Sequence, residues 1–144
     1  ADIIKFKEMG CKGIVSGVLN EDKTVDLGRT KELVELTRPL EFTFHRAFDK
    51  IINPIKGLEE LIEIGSNRIL TSGQEDSAIN GIKLIEKLIK IAANRITIMP
   101  GSGVKSANIK EFISIGSNEI HGSFSKNHKT QINILENVVA ATKK

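Results

Sequence analysis

Residues 43–49 hold the densest group of chemically active side chains in the chain, namely His45, Arg46 and Asp49. An imidazole can act as general base, proton carrier or metal ligand near neutral pH. A guanidinium can bind a carboxylate or phosphate through two parallel hydrogen bonds. The segment is therefore a candidate for proton transfer on an anionic substrate. The alternative is that Arg46 and Asp49 pair with neighbours, while His45 is a hydrogen-bonded residue at the rim of the fold.

Glu119 and His121 form a second candidate group, because they are two residues apart in a short β-rich run. Side chains at such spacing point to the same face of a strand. Together with His45 they could supply metal ligands or an acid–base pair, or they could form a polar layer that is satisfied inside the fold. His128 lies in a polar stretch and is expected to be solvated. The one cysteine, Cys11, is expected to be a small buried residue.

Two further runs are rich in glycine and hydroxyl side chains, and both follow predicted strands. Glycines let backbone N–H groups approach an anion, and hydroxyls add donors. We therefore predict an anion-binding site, although tight turns between strands and helices need glycine in any case. The predicted anion-binding residues are Thr71, Ser72, Gly73, Gly101, Ser102, Gly103 and Ser123.

These groups share a position, since each follows a β-rich run and precedes an amphipathic helical pattern. That order is typical of a parallel βα array, in which the carboxyl ends of the strands meet on one face and carry the chemistry. Asn53 is predicted to cap a helix whose first turn holds Pro54, and Gly65 to end it. The predicted strands are 13–19, 41–45, 67–71, 95–99 and 118–121, and the other predicted helices are 2–9, 29–37, 78–92, 106–115 and 131–142.

An internal repeat indicates how the units are arranged. The hexapeptide 64–69, Ile-Gly-Ser-Asn-Arg-Ile, returns at 115–120 with Glu in place of Arg, and 9–14 is a looser copy. The spacing fits two βα units per interval, close to the rate in a (β/α)8 barrel, although a glycine after a helix is also a common stop signal. We predict an α/β fold, a TIM-barrel-like parallel barrel. Residues 1–144 would form one domain, the C-terminal portion with the last five βα units, the first three being absent.

Composition excludes several classes of function. The chain has 144 residues, of which 40% are hydrophobic and 27% are charged. The net charge is +3 and the basic residues are scattered along the sequence, so neither nucleic acid nor a membrane is an expected partner. No apolar run approaches the roughly 20 residues that span a bilayer. A single cysteine favours a reducing, cytoplasmic setting. No zinc-finger spacing, Walker loop or dinucleotide fingerprint occurs.

Five segments, 17–22, 43–49, 68–73, 99–103 and 119–123, follow in the order and spacing of the CutC copper homeostasis family, which this chain resembles. The resemblance implies a TIM-barrel-like fold, a cytosolic setting, self-association as a homo-oligomer, and a proposed role in copper handling or tolerance with binding of monovalent copper (Cu⁺). The candidate metal ligands are His45, Met99 and His121. The family also begins with three further βα units, which hold a Glu-Leu-Cys and an Arg-Pro-Arg-Gly-Gly segment that are not in this chain.

Three hypotheses remain open at this point. The first is copper binding in a cleft at the strand ends, and the second is a barrel enzyme that uses His45 or His121 as acid or base on a small phosphorylated or carboxylated metabolite. The third is a fragment whose first strand, with Ile14 and Val15, forms an open edge that favours association. The predicted cleft consists of His45, Arg46, Asp49, Thr71, Ser72, Gly101, Gly103, Glu119 and His121.

Overall fold

The computed structural model describes residues 13–125 and 128–133 of the chain, with side chains over 13–122. It divides into two compact units, Ala1–Ile69 and Leu70–Lys144. The predicted helix 2–9, most of the third copy of the repeat and Cys11 lie outside the described residues. So does most of the predicted helix 131–142.

Three parallel strands form the sheet of the first unit. β1 pairs with β2 in the register Gly13↔Glu41, and β2 pairs with β3 in the register Thr43↔Arg68. The elements of this unit are β1 (Gly13–Ser16), α1 (Leu27–Thr37), β2 (Glu41–Phe44), a 3-10 helix (Arg46–Lys50), α2 (Pro54–Ile64) and β3 (Arg68–Thr71), whose last two residues open the second unit.

Side-chain caps begin both α-helices of the first unit. Asp26 accepts the N–H of Arg29 at 3.1 Å, and Asn53 accepts the N–H of Lys56 at 3.1 Å. These bonds satisfy N–H groups that have no partner inside the helix. Gly65 ends α2 with φ of +92°, a backbone conformation that glycine adopts without strain. The cap and stop predicted for α2 are therefore confirmed.

The core of the first unit combines aromatic and aliphatic side chains. Phe42 and Phe44 project from β2, while Phe48 follows in the 3-10 helix, and all three are fully buried. Leu58 and Leu61 of α2 are also fully buried, as the apolar stripe of that helix predicts. The packing of these side chains fixes the point at which β2 ends and residues 45–49 begin.

The second unit has two parallel strands and one antiparallel strand. β4 pairs with β5 in parallel, with Gly101 opposite His121, and β5 pairs with β6 in antiparallel. Its core is formed by the fully buried side chains of Ile85, Leu88, Phe112 and Ile120. The elements are α3 (Ile82–Ala92), β4 (Thr97–Lys105), α4 (Ile109–Ser114), β5 (Glu119–Ser125) and β6 (His128–Asn133).

Several predicted boundaries in this unit are wrong, including the end of the strand predicted over 118–121, which continues to Ser125. The helix predicted from 78 begins at Ile82, because residues 78–81 form a turn in which the N–H of Ala78 donates to the Ser102 carbonyl at 2.8 Å. The strand predicted to end at Met99 continues to Lys105, so 101–103 belong to β4 and not to a loop. The helix predicted from Ser106 begins at Ile109. Residues 131–133 pair with β5 as a strand instead of starting a helix.

The predicted α/β class is confirmed, since strands β1 to β5 alternate with helices and the pairs β1–β2, β2–β3 and β4–β5 are parallel. Closure into a barrel stays a prediction. Among the described residues, no helix combines the length and the apolar character needed to cross a membrane.

Candidate functional site

His45 directly follows β2, where it begins the 3-10 helix. Its Nδ1 accepts the N–H of Ala47 at 3.2 Å, and its own N–H donates to the Ser16 carbonyl at 3.1 Å. The imidazole also lies against Phe44, with ring centroids 5.7 Å apart. The backbone of β1 and the aromatic core thus hold a half-buried histidine in one orientation.

The bond to Ala47 decides which nitrogen of His45 carries the proton. A nitrogen that accepts an N–H has its lone pair in use, so the neutral ring holds its proton on Nε2. Metal-binding histidines have the opposite arrangement, because their second nitrogen donates to a carbonyl or carboxylate. His45 is therefore arranged to present an N–H at Nε2.

Arg46 and Asp49 pair with each other one turn apart. Arg46 Nε lies 2.8 Å from Asp49 Oδ2, and the side chains are 43% and 10% exposed. The carboxylate is thus mostly buried while the guanidinium reaches solvent. This ion pair agrees with the alternative in which Arg46 and Asp49 pair with neighbours. It also fixes a cation in the first turn of the 3-10 helix, directly after His45 in sequence.

The segment after β3 is closed by its own hydroxyl groups. Ser72 Oγ donates to the Glu75 carbonyl at 2.5 Å, and Thr71 Oγ1 accepts the N–H of Gly73 at 3.0 Å. Thr71 and Ser72 are fully buried. Through these hydrogen bonds the two side chains fix the turn that leads into α3.

Ser102 ties the C-terminal half of β4 to this turn. Its Oγ donates to the Asp76 carbonyl at 2.9 Å, while its own carbonyl accepts the N–H of Ala78. Ser102 and Gly103 both have positive φ, at +83° and +75°. The hydroxyls of Ser72 and Ser102 thus donate to carbonyls within the unit, so an anion here would depend on backbone N–H groups. Anion binding stays a prediction.

Close backbone approach explains two of the glycines in this region. A Cβ built on Gly81 would lie 2.0 Å from the Ser72 carbonyl oxygen, and one on Gly73 would lie 2.2 Å from the Gly81 carbonyl oxygen. No side chain fits at either distance, so the 72–81 turn requires glycine at both positions for packing alone.

His121 lies beside Gly101 across the β4–β5 pair. A Cβ built on Gly101 would lie 3.7 Å from the His121 Cβ, so the two positions share a face of the sheet. Met99, two residues before Gly101, points to that same face and is 3% exposed. Glu119 is two residues before His121 in β5, so the two residues share a strand face, and Glu119 is half-buried. Ser123 lies in β5, and its side chain falls outside the described residues.

The predicted site residues thus lie in two groups, each inside one unit. The first unit holds His45, Arg46 and Asp49. The second unit holds Thr71, Ser72, Gly73, Met99, Gly101, Ser102, Gly103, Glu119 and His121.

Sequence reasoning missed one buried charge. Arg68 is the first residue of β3 and only 8% exposed, and its Nη1 donates to Thr43 Oγ1 at 3.1 Å. Its Nη2 lies 3.5 Å from Glu41 Oε2. An arginine inside an apolar strand pattern was the available signal, since a buried arginine needs polar partners nearby.

A metal site built from three or more His, Cys, Asp or Glu side chains is not found in the described ranges. Within 13–125 and 128–133, no three side chains of His, Cys, Asp or Glu are grouped so that they could hold an ion. Any copper site in this part of the chain must therefore use fewer of these ligands or include a thioether.

Comparison with known proteins gives a consistent result. A family model described as the CutC family matches residues 1–126. A "family protein CutC" of Proteus mirabilis (strain HI4320) is 43% identical over 132 residues, which are 92% of this chain and 52% of the relative. One from Photorhabdus laumondii is 42% identical over 125 residues, 87% of this chain and 50% of the relative.

The solved structures agree with the sequence comparison. The crystal structure of a candidate copper homeostasis protein CutC from Streptococcus agalactiae superimposes with a TM-score of 0.79 at 32% identity, covering 85% of this chain and 61% of that one. The chain therefore spans about half the length of the curated relatives it matches.

Proposed function

Because this chain belongs to the CutC family, whose name links it to copper homeostasis, we propose that it binds monovalent copper in the cytoplasm through Met99 and His121. The observation that supports the proposal is the shared sheet face on which a thioether and an imidazole flank Gly101. Since the relatives are about twice as long, the proposal concerns the contribution of this part.

The donor chemistry supports this pair. Monovalent copper prefers soft ligands such as thioethers, and imidazole also suits copper. Met99 is almost fully buried, which would shield a bound ion from oxidising solvent. On that face the space beside Gly101 is occupied by Leu70, because a Cβ built on Gly101 would lie 2.5 Å from Leu70 Cδ1, so a bound ion would require this side chain to shift.

His45 is left out of the proposed donor set for a geometric reason. Copper at Nε2 would move the ring proton to Nδ1, where it would face the N–H of Ala47. That change would replace a hydrogen bond by two opposed donors. His45 therefore suits hydrogen-bond donation from Nε2 better than metal binding.

A titration with monovalent copper under reducing conditions, in competition with a chromophoric chelator, tests the proposal. We expect one ion per chain, and at least tenfold weaker binding in the Met99→Leu and His121→Ala variants. His45→Asn, which keeps a cap acceptor, is the matched control and should bind as the original chain does. Equal copper affinity in Met99→Leu and the original chain would refute the assignment.

A second candidate function is supported by the Nε2 proton of His45. A neutral imidazole with a fixed tautomer beside a half-exposed arginine is suited to donate a hydrogen bond from Nε2 to an oxygen of a small phosphorylated or carboxylated metabolite on which negative charge develops. In this case the family member would be an enzyme. In an active homologue, the equivalents of His45→Ala and His121→Ala combined should abolish turnover, and unchanged turnover would end this alternative.

A further inference from the structure

The two copies of the repeated hexapeptide end their helices in the same way. Gly65 and Gly116 have φ of +92° and +99°, and each donates its N–H to a carbonyl three residues back at 3.1 Å. The serines that follow, Ser66 and Ser117, both donate their N–H groups to a carbonyl five residues back at 3.1 Å. The copies can therefore be compared position by position.

In the first copy, Asn67 binds the backbone of one residue in the preceding strand. Its N–H donates to the Phe42 carbonyl at 2.9 Å, and its Oδ1 accepts the Phe42 N–H at 2.8 Å. Ser66 Oγ donates to the Arg68 carbonyl at 3.0 Å. Asn67 thus forms hydrogen bonds with both backbone polar groups of Phe42, its N–H and its carbonyl.

In the second copy these bonds are not made. Asn118 forms no hydrogen bond to β4 within the described residues, and the pairing of β4 with β5 begins further along, at Gly101↔His121. Ser117 is 4% exposed, and its Oγ has no hydrogen-bond partner in the part of the chain that is described. Buried hydroxyl groups in native proteins rarely lack a partner.

A cavity of about 210 Å³ lies where the missing bonds would be. Gly116 and Asn118, the two neighbours of Ser117, both contribute to its lining, whereas Ser117 itself does not. Three isoleucines take part in the lining, but its accessible surface is mostly polar, and Asn94, Thr97 and Asn118 are its polar residues. The lining residues are Ile89, Asn94, Ile96, Thr97, Ile98, Gly116 and Asn118.

We propose that this cavity binds a short extended peptide or N-acylated amino acid amide, whose N–H and C=O pair with Asn118 as those of Phe42 pair with Asn67. Because the accessible surface of the cavity is mostly polar, the backbone groups of the ligand and not its side chain carry the recognition. Ligand pockets for larger molecules measure about 300–1,000 Å³, so this cavity suits one or two residues.

The cavity is separate from the proposed copper donors. It lies at the beginning of β4 and β5, with Thr97 as the first residue of β4 and Asn118 directly before β5. Met99 and His121 follow later in the same strands. The two proposals can therefore fail independently.

A titration of the 144-residue chain with N-acetyl-L-valine N-methylamide, followed by ¹H–¹⁵N NMR, tests the proposal. We expect saturable shifts at the amides of Thr97, Gly116 and Asn118. Asn118→Ala should weaken binding at least tenfold, while Asn118→Asp, which keeps an acceptor at Oδ1, should retain most of it. Asn80→Ala, at an exposed asparagine outside the cavity, is the matched control.

Three results would overturn the proposal. The first is the absence of saturable shifts at the cavity residues, and the second is equal binding by Asn118→Ala and the original chain. The third is a slowly exchanging Asn118 amide in the free chain with a hydrogen bond to Ile98, since β4 itself would then occupy the position of the ligand.

Discussion

Ser66 and Ser117 occupy the same position in two copies of one hexapeptide, but Ser66 Oγ donates to the Arg68 carbonyl whereas Ser117 Oγ is buried without a partner among the described residues. The two hydroxyl groups therefore contribute to stability with opposite sign. A satisfied hydroxyl stabilises the fold, and an unsatisfied buried one carries a desolvation cost that no bond offsets.

Alanine at these two serines gives a matched pair of stability measurements. We expect Ser66→Ala to lower the free energy of unfolding by about 1 kcal/mol and Ser117→Ala to raise it by about 1 kcal/mol. Urea denaturation followed by circular dichroism measures both. Equal destabilisation by the two variants would show that Ser117 has a partner in solution.

The same repeat shows where prediction from sequence succeeds and where it fails. The stop at Gly65 and the cap at Asn53 were predictable, because they depend on residues close in sequence. The partners of Ser66 and Ser117 were not, because they depend on how far the neighbouring strand extends and pairs.

Strand length limited the prediction of the site in the same way. The glycines at 101 and 103 suggested a loop, yet β4 continues through them, because the Ser102 carbonyl and hydroxyl hold the strand against the 72–81 turn. Likewise, residues 131–133 pair with β5, although their spacing suggested the start of a helix. The strands were identified from the sequence, but their lengths and the hydrogen-bond partners of their polar residues required the structure.

His45 is predicted to stabilise the 3-10 helix through Nδ1 and not through its charge. His45→Ala removes the acceptor for the Ala47 N–H and should cost about 1 kcal/mol, the usual cost of losing a helix cap. His45→Asn offers an acceptor at a similar position and should retain most of the stability. Thermal unfolding of both variants measures the difference. A His45→Asn variant as unstable as His45→Ala would show that ring packing on Phe44 dominates instead.

Gly81 is predicted to tolerate no side chain. The Cβ of Gly81→Ala would meet the Ser72 carbonyl oxygen and the Gly73 backbone, and we expect a loss of about 3 kcal/mol. Gly28→Ala is the control, because the nearest atom to its Cβ is Asp26 Oδ1 at 3.9 Å, and alanine in a helix should add about 0.5–1 kcal/mol. Chemical denaturation of both variants gives the comparison, and a neutral effect of Gly81→Ala would mean that the 72–81 turn rearranges readily.

Asp22 is predicted to make the 20–25 turn sensitive to acid. The Thr24 hydroxyl and N–H donate to Asp22 Oδ1 at 2.6 and 3.2 Å, and these bonds lower the pKa of the carboxyl below its usual 3.8. A carboxyl with a lowered folded pKa stabilises the fold above its unfolded pKa, and this contribution is lost as the pH falls through the folded value. Asp22→Asn should therefore flatten the acid side of the stability curve. An NMR titration of the Asp22 carboxyl that gave an unshifted midpoint would contradict this.

Self-association through the edge of β1 is the last prediction. Among the described residues β1 pairs only with β2, and Val15 on β1 is 59% exposed. An exposed strand edge with apolar side chains can pair with another chain, and a charged side chain there opposes such pairing. We expect the 144-residue chain to associate with rising concentration, and Val15→Lys to shift it toward monomer, as measured by sedimentation equilibrium.

Ile52→Lys is the matched control, because Ile52 is 71% exposed but lies outside the strands, so its charge should leave association unchanged. A chain that sediments as monomer at every concentration would show that the edge of β1 is covered, and equal effects of the two lysines would show that general surface charge governs association.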